Sequence, residues 1–292
     1  MASDLSSGAR SGLRAKWTSR SRPYRVILHA RMRAQTSYRA SFVTDLVGTL
    51  LVGLTELAEV YVLFSNVPRL GGLTFSQALL VFALANIAYS LSDMFVGHLD
   101  NLPTYIRAGT IDVFYLRPLP LLAQLVTSDI SLRRFGRLAV ALGVLLVAVV
   151  GNDIPWSPRT VSMLVIAVTA GTAIVGALFT TASALQFFLI EGSELTNGFT
   201  YGGAYASQQS TQVFPNPLRI LFTFVVPAAF IAYLPAVVIL DLPGAVLLPV
   251  WLGWLTPLMA VVAWTVALVL WRVGTRHYQG AGGRHRPGPA RH

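Results

Sequence analysis

The sequence predicts an all-α membrane protein of six transmembrane helices with both termini cytoplasmic. An interfacial helix precedes the first span, and a short helix lies between spans two and three. Three observations predict this. Of 292 residues, 54% are hydrophobic and only 12% charged, with a mean hydropathy of +0.61. Soluble domains run near a quarter charged residues. Six stretches reach or approach the roughly 20 apolar residues a helix needs to cross a bilayer. Lysine and arginine gather in alternate connecting segments, as topology requires. The net charge of +10 would suit a nucleic-acid surface, but so apolar a chain has little room for a soluble basic face, and no nucleic-acid partner is expected. The absence of cysteine excludes disulfides, thiolate metal sites and cysteine nucleophiles.

Residues 1–22 are polar, rich in Ser and Arg, and lack the apolar core of a secretory signal, so they read as a disordered basic cytosolic tail. Residues 23–40 read as a helix opening on Pro23, with Arg25, Arg31, Arg33 and Arg39 set among Val26, Ile27, Leu28 and Met32. Such a helix lies along the inner leaflet with its arginines at anionic lipid headgroups. The membrane domain then covers residues 41–273. Its spans are Ser41–Ser65, Phe75–Gly97, Gly136–Asn152, Val161–Phe188, Arg219–Leu240 and Leu247–Arg272. The third is the shortest, and snorkelling of Arg133, Arg134 and Arg137 would let it start earlier. Residues 274–292 read as a second disordered basic tail.

Nine Lys/Arg precede span one, and the loop after span two holds Arg107, Arg117, Arg133, Arg134 and Arg137. Arg219 is counted at the cytoplasmic edge of span five, and five more arginines lie at the C-terminal end. The opposite loops hold only Arg69 and Arg159. The cytoplasmic side thus carries 20 of the 22.

Several chemistries are missing. The one lysine, Lys16, lies in the tail, and no G-x-x-x-x-G-K-[ST] phosphate loop exists. ATP hydrolysis, if it powers anything, belongs to a separate chain. His29, His98, His277, His285 and His292 have no metal-binding spacing, and no G-x-S-x-G elbow is present.

Asp45, Glu56 and Glu59 fall in span one and Asp93 in span two. Ionisable groups in a bilayer are costly and mark function by default. At about 100° per residue the three acids of span one share a face. Asn86, Ser90 and Asp93 make a polar stripe on span two. Glu56, Glu59, Asn86 and Ser90 are therefore a candidate polar translocation path. Asp45 and Asp93 are read as pairing with arginines at the cytoplasmic end. Glu56, near mid-membrane, also supports a rival reading as the proton site of a secondary transporter. A non-transporting scaffold is a third.

Span five is rich in proline, with Pro227 and Pro235 expected to kink it. The preceding Glu191–Asn216 reads as too polar to cross, hence interfacial or cytoplasmic. In the loop after span two, Asn101–Ala108 can form a short helix that Gly109 ends.

The stretch IRAGTIDVFYLRPLPLLAQ (Ile106–Gln124) resembles the R-x-G-x-x-D-x-x-L-x-R-P motif of a bacterial branch of the ABC-2 family transporter permeases. Tyr201-Gly-Gly203, Phe214–Pro235, Trp271–Gly282, Gln35–Phe42 and Arg69–Val81 resemble that family too, over roughly Arg31–Gly282. Tyr115 stands where the motif has leucine, and Phe214 where tyrosine is frequent. The resemblance implies a plasma-membrane exporter subunit in a bacterium. Its implied partners are a separate ATP-binding subunit, which holds ATP and Mg, and a second permease chain, homologous or identical. It implies no cofactor or enzymatic activity in this chain. The segment Leu102–Arg117 would contact the ATPase, with Arg107, Gly109, Asp112, Arg117 and Pro118 as the coupling residues. Arg107 and Arg117 would bond partner carboxylates or carbonyls, and Asp112 would cap and orient the loop. The resemblance does not carry over a substrate; the cargo expected here is a small hydrophobic or amphipathic molecule.

Overall fold

The computed structural model describes residues 39–116, 119–128, 134–189, 193–242 and 249–278. The tail 1–22, nearly all of the interfacial helix 23–40, and most of the tail 274–292 lie outside these residues. Apart from a single bridge between Leu70 and Leu73, the described residues hold only helices and connecting turns.

The long helices are α1 (Arg39–Asn66), α2 (Phe75–Val96), α6 (Phe135–Val150), α7 (Pro158–Leu185), α8 (Ser193–Ser207) and α12 (Thr256–His277). Between α2 and α6 lie a 3₁₀ turn (Gly97–Asn101), α3 (Leu102–Arg107), α4 (Ile111–Tyr115) and α5 (Leu121–Ser128). Between α8 and α12 lie α9 (Asn216–Ile220), a π-helical turn (Leu221–Val225), α10 (Ala228–Ile231), α11 (Tyr233–Ile239) and a 3₁₀ turn (Val250–Leu255). Among the described residues, four helical runs are long and apolar enough to cross a membrane: Phe42–Asn66, Phe75–Arg107, Pro158–Leu185 and Val250–His277. At 16 residues α6 is shorter. The last helix runs to His277, beyond the expected boundary at residue 273.

Local chemistry starts these helices where the sequence has the right residues. The Thr74 backbone N–H donates to Gln77 Oε1 at 3.0 Å, one half of a capping box. Ser157 Oγ accepts from Thr160 N at 3.2 Å, with Pro158 as the first helical residue. Small residues then allow close crossings. A Cβ at Gly136 would meet Leu46 O at 2.5 Å, where α6 crosses α1, and one at Gly171 would meet Ile231 O at 2.8 Å.

Contacts between elements sort the molecule into two ends. Asn152 Nδ2 donates to Ser76 O at 2.8 Å, which sets the end of α6 beside the start of α2. The Arg159 guanidinium lies 5.3 Å from the Trp254 ring, so the 3₁₀ turn before α12 belongs to this same end. At the other end Ser183 Oγ donates to Leu99 O at 3.2 Å, and Phe187 packs on Trp271.

Two expectations change in this frame. The polar segment at Glu191–Asn216 does not stay at one end. Tyr201 of α8 bonds Asp100, past the end of α2, while Ser210 Oγ donates to Gly71 O at 2.8 Å, before its start. α8 thus extends along α2 between the two ends. Nor is Arg219–Leu240 a single kinked rod. Arg219 bonds the carbonyls of Thr211 and Phe214 at 3.2 and 3.0 Å, so it lies at the Gly71 end and not at the end that holds Leu99 and Trp271, where the expected cytoplasmic edge would put it. From there α9 and the π turn run inward to Val226, which packs against Gly203. The helix ends at Val226–Pro227, and α10 and α11 return until Leu234 and Val238 press on Gly253 at the Gly71 end. Pro227 marks a reversal, more than a kink. Pro235 makes no kink either, because it is the third residue of α11, where a backbone N–H has no intrahelical partner to lose.

The returning limb is wholly enclosed. Ala228 to Leu234 and Ala236 are at most 1% exposed, and most of them pack with Leu80–Ala85 of α2 and with Ile174, Val175, Leu178 and Phe179 of α7 into one core. That burial explains how an interrupted helix persists in an apolar setting, since neighbouring protein encloses the freed backbone groups.

Candidate functional site

Two groups of residues stand out. The first joins α1, α2 and α6. Arg137, in the first turn of α6, reaches inward, and its Nη2 lies 2.6 and 2.7 Å from the two carboxylate oxygens of Glu56. Its Nε donates to Asn86 Oδ1 at 3.1 Å, and its guanidinium lies 5.3 Å from the Tyr89 ring. Asn86 is held in turn, donating Nδ2 to Phe82 O at 3.1 Å. Asn86 sits midway along α2, so the Arg137 side chain extends along the helix toward mid-depth instead of snorkelling to the near surface. One helical turn earlier, Arg134 pairs with Asp93 of α2. One face of α6 therefore carries two guanidiniums that tie it to both neighbouring helices.

The acids of α1 do not act as one stripe. Glu56 turns to α6, whereas Glu59 accepts from Tyr205 of α8 at 3.3 Å. Asp45 is half-buried and lies eleven residues before Glu56, about 16 Å along the helix. On α2, Tyr89 Oη, Ser90 Oγ, Ser92 Oγ and Asp93 Oδ1 are buried with no hydrogen-bond partner among the described residues. Orphaned polar groups at this density call for an explanation by water, ion or movement. Asp93 Oδ1 also occupies the space a Cβ at Gly97 would need, so a side chain there would displace the carboxylate. Pro227 and Pro235 lie elsewhere, in the doubled-back segment.

The second group is the segment after α2. Leu99, Leu102 and Ile111 are fully buried and meet Leu125, Ala184, Phe187 and Trp271 in a small core of their own. Gly109, at φ +67°, ends α3 in the left-handed conformation open to glycine. Gln124 Nε2 donates to Phe114 O at 3.0 Å and Leu119 O at 2.7 Å, which pins the chain around the turn. Asp112 does not cap α4; its carboxylate accepts from Tyr278 Oη at 3.2 Å, tying the segment to the end of α12. Tyr278 stacks on Tyr115 with centroids 6.0 Å apart. Burial and the neighbouring Asp112 push both phenols above their ordinary range. Arg107, Val113, Tyr115 and Leu116 remain exposed, Leu116 at 85%. Arg117 and Pro118 lie outside the described residues.

Sequence reasoning missed Arg137 as the partner of Glu56, because it counted every loop arginine as an orientation signal. The available clue was Arg134 and Arg137, spaced one turn apart at the head of an apolar helix. It also missed Tyr201 and Tyr205, four apart on α8, as partners of acids on two other elements.

The described residues thus form a helical bundle with several apolar helices, an interrupted, enclosed segment and a packed helical loop at one end. The model of the ABC-2 family transporter proteins matches residues 50–282, most of the chain, and the protein belongs to that family. Permeases of this family are membrane components that work with a separate ATP-binding subunit. No curated protein and no solved structure matches the chain.

Proposed function

We propose that the chain is the permease subunit of an ATP-driven exporter for a small hydrophobic or amphipathic substrate. ATP and Mg would be held by the partner ATPase, and a second permease chain, homologous or identical, would complete the complex. The observation that carries this reading is the small core shared by the Leu102–Leu116 segment, the end of α7 and α12. A partner that pushes on Arg107 and the exposed Val113, Tyr115 and Leu116 pushes on two long helices at once. Arg117 and Pro118 join the proposed coupling residues by their place in the loop motif alone.

In this reading α1, α2, α6, α7, α8 and α12 make six crossings with both termini cytoplasmic. Here α8 is the fifth, and Arg219–Leu240 is a re-entrant hairpin from the outer side. Moving Arg219 outward leaves 19 of the 22 Lys/Arg cytoplasmic, so the charge asymmetry still supports the orientation. Glu59, Ser90 and the orphaned hydroxyls beside them would line the polar path. Glu56, engaged by Arg137, would act as a helix-to-helix tie, which weakens its case as a proton carrier.

The test is ATPase stimulation in the reconstituted complex. Arg107→Glu is expected to reduce stimulation severalfold with subunit assembly intact. Unchanged stimulation would remove the role assigned to Arg107. Full ATP-driven export by a Glu56→Gln variant would exclude an obligatory proton on Glu56.

A further inference from the structure

On the side of α1 that faces α6, the helices part to leave a groove of about 710 Å³, within the range of sites that hold a small ligand. Leu54, Leu57 and Tyr61 of α1, Phe75 of α2, and Val140 and Val147 of α6 wall it, and the Tyr61 hydroxyl is the single polar side-chain group in its lining. Its length from Val140 to Val147 is about 10 Å at 1.5 Å per residue. Gly143 lies in its floor, where an added Cβ would touch nothing within 4 Å, so the space is not closed by a neighbouring side chain.

We propose that this groove binds one acyl chain of a membrane lipid from the leaflet at the Gly71 end. Water does not suit it, because a buried water needs two or more polar partners that this lining lacks. Left empty, its walls would forgo the dispersion contacts that close packing supplies. Leu51, Leu146 and Val150, each three residues along the helix from Leu54, Gly143 and Val147 of the lining, are exposed, so the bilayer's own hydrocarbon has access beside the groove. Its two ends also suit a chain. Tyr61 and Phe75, in edge contact at 6.1 Å, border the Gly71 end. The Glu56–Arg137 pair lies beside Leu57 and one turn from Val140, so a charged pair borders the groove at the end away from Gly71. A protein partner would find its hydrogen bonds on another face of α1. Glu59 and Tyr205 are exposed there, about 200° around the helix from Leu57 and Tyr61.

The probe is a phosphatidylcholine carrying a diazirine in one acyl chain, with the full chain in bilayer nanodiscs and labelled peptides mapped by mass spectrometry. Labelling across Leu54–Tyr61 and Val140–Val147 is expected to exceed severalfold that of the exposed α12 face at Val261–Val269. In Gly143→Leu, whose Cβ meets nothing within 4 Å and whose side chain fills the floor, the excess should vanish while α12 labelling stays unchanged; that unchanged signal reports a folded protein. Equal labelling of both faces, or labelling indifferent to Gly143→Leu, overturns the site. The chain has no cysteine, so Val147→Cys gives a second reading. Efficient oxidative dimerisation at that position would overturn the lipid in favour of a second copy. Neither measurement involves ATP, so failure here and failure of the coupling role of Arg107 stay separate.

Discussion

α1 and α2 are equally apolar by sequence, yet 11% of the most apolar stretch of the first is buried against 83% of the second. α2 is the hub of the bundle, enclosed by α6, α7, α8 and the returning limb at α10 and α11. α1 leans mainly on α6 and is tied inward through Glu56 and Arg137. Hydropathy reports only that a helix is at home in hydrocarbon. Whether that hydrocarbon is lipid or protein depends on the neighbours, because lipid tails are as apolar as leucine and do not by themselves drive helices together.

The contrast is open to mutation, and the expected effects fall in order. Arg137→Leu leaves the Glu56 carboxylate unpaired in an apolar setting and should cost about 4 kcal/mol in denaturant unfolding. The double variant Glu56→Leu/Arg137→Leu should regain most of it; an additive loss would show that the two act separately. Leu84→Ala, in the fully buried face of α2, should cost about 3 kcal/mol. Leu51→Ala on exposed α1 should stay within about 0.5 kcal/mol, and equal losses would erase the distinction between the helices. Gly171→Ala forces a Cβ onto the Ile231 carbonyl and should cost about 1–3 kcal/mol. Gly48→Ala on α1 meets nothing within 4 Å and should be neutral or gain up to about 1 kcal/mol in helix propensity. Tyr205→Phe removes one exposed hydrogen bond to Glu59 and should shift stability by about 0.5 kcal/mol.

Much of the helical framework was legible because long apolar runs and their capping residues are local signals. In the structure Thr74 with Gln77 and Ser157 with Thr160, three residues apart in each pair, cap the starts of α2 and α7. The misread part was the interval from Glu191 to Leu240. α8 contains Tyr201, Gly202, Gly203 and Tyr205, too polar on average to look like a crossing, yet it finds α1 and α2 beside it. Arg219–Leu240 is apolar enough to look like a crossing, yet Val226–Pro227 turns it back. Hydropathy does not separate these two arrangements, because it averages over side chains without knowing which face is covered. The site was legible as residue types, with Glu56, Asn86 and Asp93 singled out by their cost in lipid; an arginine partner was expected for Asp93, which pairs with Arg134, but Arg137 was not expected as the partner of Glu56 and Asn86.

The sequence by itself determined that this is a multi-pass helical membrane protein of the ABC-2 family without a nucleotide-binding loop of its own. Composition, arginine distribution and the loop motif are properties of the chain that no packing changes. Only the tertiary structure decided that Arg137 serves Glu56 across two helices, that α8 rather than the proline-rich segment extends between the two ends, and that α2 rather than α1 lies at the centre. Each of these depends on groups tens of residues apart, Glu56 and Arg137 being 81 positions separate. Contacts at that range are set by how helices pack, which no local pattern encodes.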